Sequence, residues 1–288
     1  MGLRRGGPAD RNGKPDLPAH RGGGSRLSGR HHPARLRGLI DSHCHLQHDR
    51  FDADRGAVLE RAVEAGIDRI MVPGWDLPSS EAALELAERH GPLIQAAVGV
   101  HPHYAAATDE RAWHGIEELV GDPRCSAVGE IGLDFFRNLS PPDVQRAALD
   151  RQLSIAAARD LPVIVHDRDA HEEVTAVLAR WAGHRGVLHA FSGDAAMADL
   201  LTARGFLMSF ALPVSFRSAV GPRAAAAAIG PETYLVETDA PYLGPDRERR
   251  NEPTTALRVA AEVARLRGME PQAVADEAHR AYERLFVD

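Results

Sequence analysis

From Leu39 onward, short apolar runs alternate with longer stretches whose apolar residues recur every three or four positions. The runs at 39–41, 69–72, 94–98, 127–129, 163–165, 187–188, 206–209 and 234–236 read as strands. The stretches at 55–65, 79–90, 142–159 and 170–182 read as amphipathic helices. Strands that alternate with helices pair in parallel through helical crossovers. Eight such units predict an α/β fold, a (β/α)8 TIM barrel in a single domain spanning 39–288, and about 250 residues is the usual length for one. A doubly wound open sheet is the rival. It requires a glycine-rich phosphate turn after the first strand, and Ser42-His43-Cys44-His45 stands there instead.

Residues 1–38 do not share this pattern. They are rich in Gly, Pro and Arg and carry nine basic side chains against two acidic ones. With so little to bury, the segment is expected to be a disordered basic extension. The whole chain has a net charge of −7, so the remainder carries about −14. An acidic body does not wrap a long duplex, because that binding scales with the phosphates neutralised by Lys and Arg. It still admits a grip on a few nucleotides with the help of cations. No run of eighteen apolar residues occurs, which predicts no membrane span. Two cysteines, Cys44 and Cys125, form no disulfide framework, and a reducing, cytoplasmic setting is the simplest expectation. Nothing in the sequence points to a stable protein partner.

In a (β/α)8 barrel the active site lies where strands end and βα loops begin. The first strand runs into His43 and His45, which alternation places on one side. The fourth runs into Glu130 between glycines, the fifth ends at His166, the sixth at His189, and the eighth at Glu237-Thr238-Asp239. Any one of these could be a satisfied core residue. Together they place four histidines, a glutamate and an aspartate at one rim. Six ligands exceed one tetrahedral Zn²⁺ and suit two divalent ions sharing a carboxylate, about 3.5–4 Å apart. Zn²⁺, Mn²⁺, Mg²⁺ and Ni²⁺ all accept such ligands. Other barrel hydrolases bridge two metals with a carbamylated lysine. Lys14 is the only lysine here and lies in the tail, so the bridge must be Glu130.

With these residues in place, the chain resembles the TatD family of metal-dependent deoxyribonucleases, within the amidohydrolase-like superfamily. The resemblance rests on Asp41-Ser42-His43-Cys44-His45, Gly99-Val100-His101-Pro102-His103, Gly129-Glu130-Ile131-Gly132-Leu133-Asp134, His189-Ala190-Phe191-Ser192-Gly193 and Glu237-Thr238-Asp239-Ala240-Pro241-Tyr242, and covers residues 39–286. It implies that His43, His45, Glu130 and Asp239 hold one metal, and that Glu130, His166 and His189 hold the other. It also implies a hydrolase acting on ester bonds, a 3′–5′ exonuclease on DNA, through single strands or 3′ ends. Two divalent ions would make hydroxide available near neutral pH between them, with Asp239 accepting its proton and Glu130 bridging. His103 would contact substrate phosphate, with His101 beside it; the alternative is a structural loop histidine. Arg168 either pairs a phosphate or forms a salt bridge at a helix start. Tyr242 either lines the site or packs. Glu237 and Asp134 are candidates to fix histidine tautomers. His90, His114, His171, His184 and His279 fall in or beside helices and are read as solvated. Ala190 departs from relatives that often carry cysteine, and the tail has no counterpart. An amidohydrolase-type enzyme on an ester, amide or lactone is the alternative function, followed by an inactive metal-binding scaffold.

Overall fold

The computed structural model describes residues 35–181, 185–245 and 249–287. The expected disorder of 1–34 and the reading of His184 lie outside the described residues. Ordered chain is already present before the expected domain start: Leu36 is buried, and the Arg37 backbone exchanges hydrogen bonds with the Gln272 side chain.

Eight strands, β1 (Leu39–Asp41), β2 (Ile67–Pro73), β3 (Ile94–Val98), β4 (Cys125–Asp134), β5 (Val163–Arg168), β6 (Gly186–Leu188), β7 (Phe206–Phe210) and β8 (Tyr234–Val236), pair in sequence order, all parallel. The helices between them are α1 (Arg55–Ala65), α2 (Leu77–His90), α3 (Glu110–Val120), α4 (Pro142–Arg159), α5 (His171–Arg180), α6 (Ala195–Thr202) and α7 (Val220–Ala228). After β8 come α8 (Ala256–Arg267) and α9 (Pro271–Phe286). The barrel closes where the Ser42 amide donates to the Val236 carbonyl and Cys44 bridges to Ala240. This is a TIM barrel, as the alternation predicts. Among the described residues no helix is long and apolar enough to cross a membrane.

Local chemistry sets the boundaries. Asp76 and Ser79 form a reciprocal capping box at the start of α2, and Gly66, at φ +92°, ends α1 in the left-handed conformation. Helix α9 buries Val274, Ala278, Ala281, Tyr282 and Leu285, an i, i+4, i+7, i+8, i+11 stripe, against the barrel. Two strands run well past the ends that apolar patterning predicts. β4 continues through Asp134 and β5 through Arg168, so Glu130 and His166 stand inside strands rather than beyond them. The β4–β5 register shifts between Val128 and Ile131, a bulge that re-aims Glu130. Gly132, at φ +138°, is required beside it, because a Cβ there would run into the His166 backbone. His90 and His114 are exposed, as expected. His171 and His279 are not simply solvated: His171 pairs with Asp167 at 2.8 Å, and the His279 ring bonds the Gly38 carbonyl at 3.0 Å.

Candidate metal centre

Glu130 is buried and its two oxygens face different partners. Oε2 lies 3.3 Å from His43 Nε2 and 3.5 Å from His45 Nε2. Oε1 lies 3.0 Å from His166 Nδ1, 2.8 Å from His189 Nε2 and 3.3 Å from His101 Nε2. Asp239 Oδ1 completes the first group, 3.8 Å from His43 and 3.5 Å from His45. The two imidazoles of that group are 3.2 Å apart, and those of His166 and His189 are 3.0 Å apart. All six residues expected to bind metal are therefore in one cluster, split on the bridging carboxylate.

The separations fit metal coordination. Tetrahedral donors at bond lengths of 2.0–2.1 Å stand about 3.4 Å from one another, and five of the six edges of the first group run from 3.2 to 3.8 Å. The second triad is tighter, at 2.8–3.0 Å. That is near the roughly 2.9 Å between neighbouring donors at right angles around an ion of the same bond length.

Contacts on the far side of three of the rings bear on which nitrogen is free. His45 Nδ1 faces the Pro73 carbonyl at 3.2 Å, an acceptor only, so its proton lies there and Nε2 offers a lone pair. His166 Nε2 donates to Asp134 at 3.3 Å, which frees Nδ1 toward Glu130. His189 Nδ1 is 3.5 Å from Glu237 Oε1, itself held by the Ala190 amide at 2.7 Å. The amide does this without the Ala190 side chain.

His101 is the exception. It stands as close to Glu130 as the ligands do, and by position alone it could complete a metal-binding group with Glu130 and His166. Burial, above all, lowers its pKa to about 4, so the ring is neutral at pH 7. The His103 amide donates to its Nδ1 at 3.1 Å, which leaves the proton on Nε2, aimed at Glu130. His101 is a donor, not a lone pair.

The electrostatics show a site built for positive charge. Burial raises the cost of ionising Glu130 and Asp239, yet the surrounding histidines hold both carboxyls below their usual range. Burial likewise opposes a charged His189, and the carboxylates of Glu130 and Glu237 overcome it and push the ring well above its ordinary pKa. His166 is raised in the same way by Asp134 and Glu130. Protons held this firmly occupy the place of a cation.

Asp134 has two duties: its Oδ2 accepts from His103 at 2.7 Å as well as from His166. Asp41 was visible only as part of a motif. Buried, it accepts from the Thr238 amide at 2.9 Å and hydroxyl at 2.6 Å, tying β1 to the turn that carries Asp239. Asp239 itself has φ +54°, a left-handed conformation that costs about 1 kcal/mol or more and is held by its amide on the His43 carbonyl at 2.8 Å. Arg168 makes no carboxylate contact among the described residues; its guanidinium lies 4.0 Å from the centroid of the exposed Phe136 ring. Tyr242 is half exposed and edge-on to His45, 6.0 Å between centroids.

The family model described as TatD related DNase matches residues 40–287. The chain belongs to this family. Its relatives include the uncharacterised metal-dependent hydrolase YabD of Bacillus subtilis, 35% identical over 86% of this chain and 98% of the relative. A protein named 3′-5′ ssDNA/RNA exonuclease TatD from a Rahnella species is 36% identical, covering 84% of this chain and 95% of its own. Among solved structures, the TatD homologue YJJV of Escherichia coli superposes with a TM-score of 0.82 at 31% identity, over 86% of this chain and 98% of that one.

Proposed function

We propose that this protein is a metal-dependent phosphodiesterase that removes nucleotides from single-stranded nucleic acid, most readily DNA, from 3′ ends. The supporting observation is the division of Glu130 between two donor groups, Oε2 with His43, His45 and Asp239, Oε1 with His166 and His189. That arrangement suits two divalent ions on one carboxylate. Bound ions of this kind supply Lewis acidity that neutralises phosphate charge and makes hydroxide available near neutral pH. Zn²⁺, Mn²⁺ and Mg²⁺ are the candidates.

The chain's own groups supply the rest. Asp239, at the rim and partly open to solvent, orients the attacking water and accepts its proton. His101 directs an N–H into the space between the donor groups, where it can steady a phosphate oxygen. His103, oriented by Asp134, stands next to it. The two free, buried thiols agree with a cytoplasmic setting.

The test is release of mononucleotides from single-stranded DNA with added Mg²⁺ or Mn²⁺, run beside a panel of esters, amides and lactones. Loss of cleavage on chelation is expected, as is a far greater effect of Asp239→Asn on turnover than on metal content. Rapid turnover of a lactone or ester with no nucleotide release would instead establish the amidohydrolase-type reading.

A further inference from the structure

On the β1, β7 and β8 side of the mouth, Arg50, Pro213, Phe216, Tyr242, Leu243 and Arg249 line an open cavity of about 310 Å³. Tyr242 is its shared wall with the metal centre, since the same ring stands edge-on to His45. Three features set this cavity apart. Among the described residues none that lines it is acidic, although the body around it carries a large negative charge. Arg50 has no carboxylate partner among the described residues; its guanidinium donates to the Pro241 carbonyl at 3.2 Å. The rings of Phe216 and Tyr242 are 50% and 47% exposed, so each leaves about half its surface to water.

Rings left half in water beside a guanidinium that donates to a backbone carbonyl match the two halves of a nucleotide. Bases stack on aromatic side chains irrespective of sequence, and arginine forks onto phosphate. The volume is at the small end for ligand pockets, which suits one monomer and not an oligomer. We propose that this cavity holds the nucleotide next to the scissile phosphate, its base against Phe216 and Tyr242 and its outer phosphate facing Arg50. The assignment rests on the phosphodiesterase reading and names where that substrate is gripped.

The experiment is calorimetric titration of the metal-loaded protein with dTMP, thymidine and inorganic phosphate. The wild type is expected to bind dTMP at least tenfold more tightly than either fragment. Phe216→Ala should weaken dTMP about tenfold, and Arg50→Ala by a similar factor, with Arg50→Lys recovering part. Inorganic phosphate, held by the metal centre, should bind all of them equally, which also shows that the exposed substitutions leave the fold intact. KM for single-stranded DNA should rise in both alanine variants with kcat within about twofold. Variants that bind dTMP like the wild type, or that lose dTMP and phosphate in equal measure, would overturn the subsite. The two readings fail separately: DNA cleavage with KM unmoved by either variant removes the subsite alone. Selective dTMP binding lost in both variants, with no DNA cleavage, keeps the nucleotide pocket and removes the nuclease.

Discussion

The two halves of the metal centre hang on one carboxylate but are built differently. On the β1–β8 side, backbone does most of the fixing: the Pro73 carbonyl sets the His45 tautomer and the His43 carbonyl holds the Asp239 amide, while the Asp41 side chain anchors the turn. On the β5–β6 side, side chains do it, with Asp134 behind His166 and Glu237 behind His189. The first half has four protein donors at near-tetrahedral spacing; the second has three in a tighter triangle. The four-donor group would hold a cation with its donors fixed mainly by backbone, and Asp41 is the carboxylate behind it. The three-donor group would leave coordination open for substrate and has two further carboxylates behind it, so it should be the more exchangeable and the more sensitive to mutation and pH.

Glu130→Gln attacks both halves at once and should have the largest effect. It removes a charged donor from each group and leaves neutral amide atoms among the histidines. A fall in kcat/KM on single-stranded DNA of at least about a thousandfold, or roughly 4 kcal/mol, is expected. Metal analysis of the same preparation should find both ions reduced. A variant that kept one ion at full affinity would show that the halves do not share this carboxylate.

Asp134→Asn and Glu237→Gln sharpen the contrast, because each acts only on the second half. Removing a carboxylate behind a metal-binding histidine usually weakens metal affinity about 10–100-fold. Bound metal should approach one equivalent per chain at limiting concentration, and activity should return when excess metal is added. Equal loss of both ions would mean that the halves fold and load as a single unit.

The pH dependence separates the halves again. In chelated protein, His189 and His166 are held protonated above their ordinary pKa of 6.5. Raised folded-state values favour the fold while these rings are charged. That contribution is complete below pH 6.5 and disappears as pH rises through the raised values. Chelated protein should therefore melt lower at pH 9 than at pH 6.5. Metal-loaded protein should gain affinity over the same interval, since its ligands must shed protons to bind. Thermal denaturation with and without chelator checks both signs. Below pH 4 the depressed carboxyls of Glu130 and Asp239 reverse the trend, as protonating them removes stability.

Much of this centre could be read without coordinates, for a definite reason. Barrel strands alternate their side chains and stop at a common rim, so polar residues at successive strand ends had to converge. His43, His45, His189 and Asp239 obey that rule, and Glu130 and His166 join them from inside β4 and β5, which run on past the ends that the apolar pattern marks. What escaped depended on contacts between distant segments. Gly129 and Gly132 look like strand breakers, yet β4 passes through both, because β5 packs too closely for a side chain. The short, alanine-rich α6 and α7 lack a clear apolar stripe. That His101 is a donor follows from one backbone amide on its ring. Arg50 and Phe216 belong to no motif, and only folding sets them either side of one cavity.

The smallest expected effect lies at the rim on the second half's side. Arg168 ends β5 two residues after His166, and its guanidinium stacks on Phe136 instead of pairing with a helix-start carboxylate. The stack, worth about 0.5–1 kcal/mol when exposed, would orient the fork, and among the described residues no carboxylate occupies its N–H groups, which would let them meet a phosphate. Arg168→Ala should raise KM for single-stranded DNA about fivefold, with metal content and kcat unchanged, and the difference should shrink as salt rises. Phe136→Ala should produce a smaller rise, because it removes the orienting ring and not the charge. A fall in kcat with bound metal would instead place Arg168 among the groups that keep His166 in position, making the second half dependent on three side chains and not two.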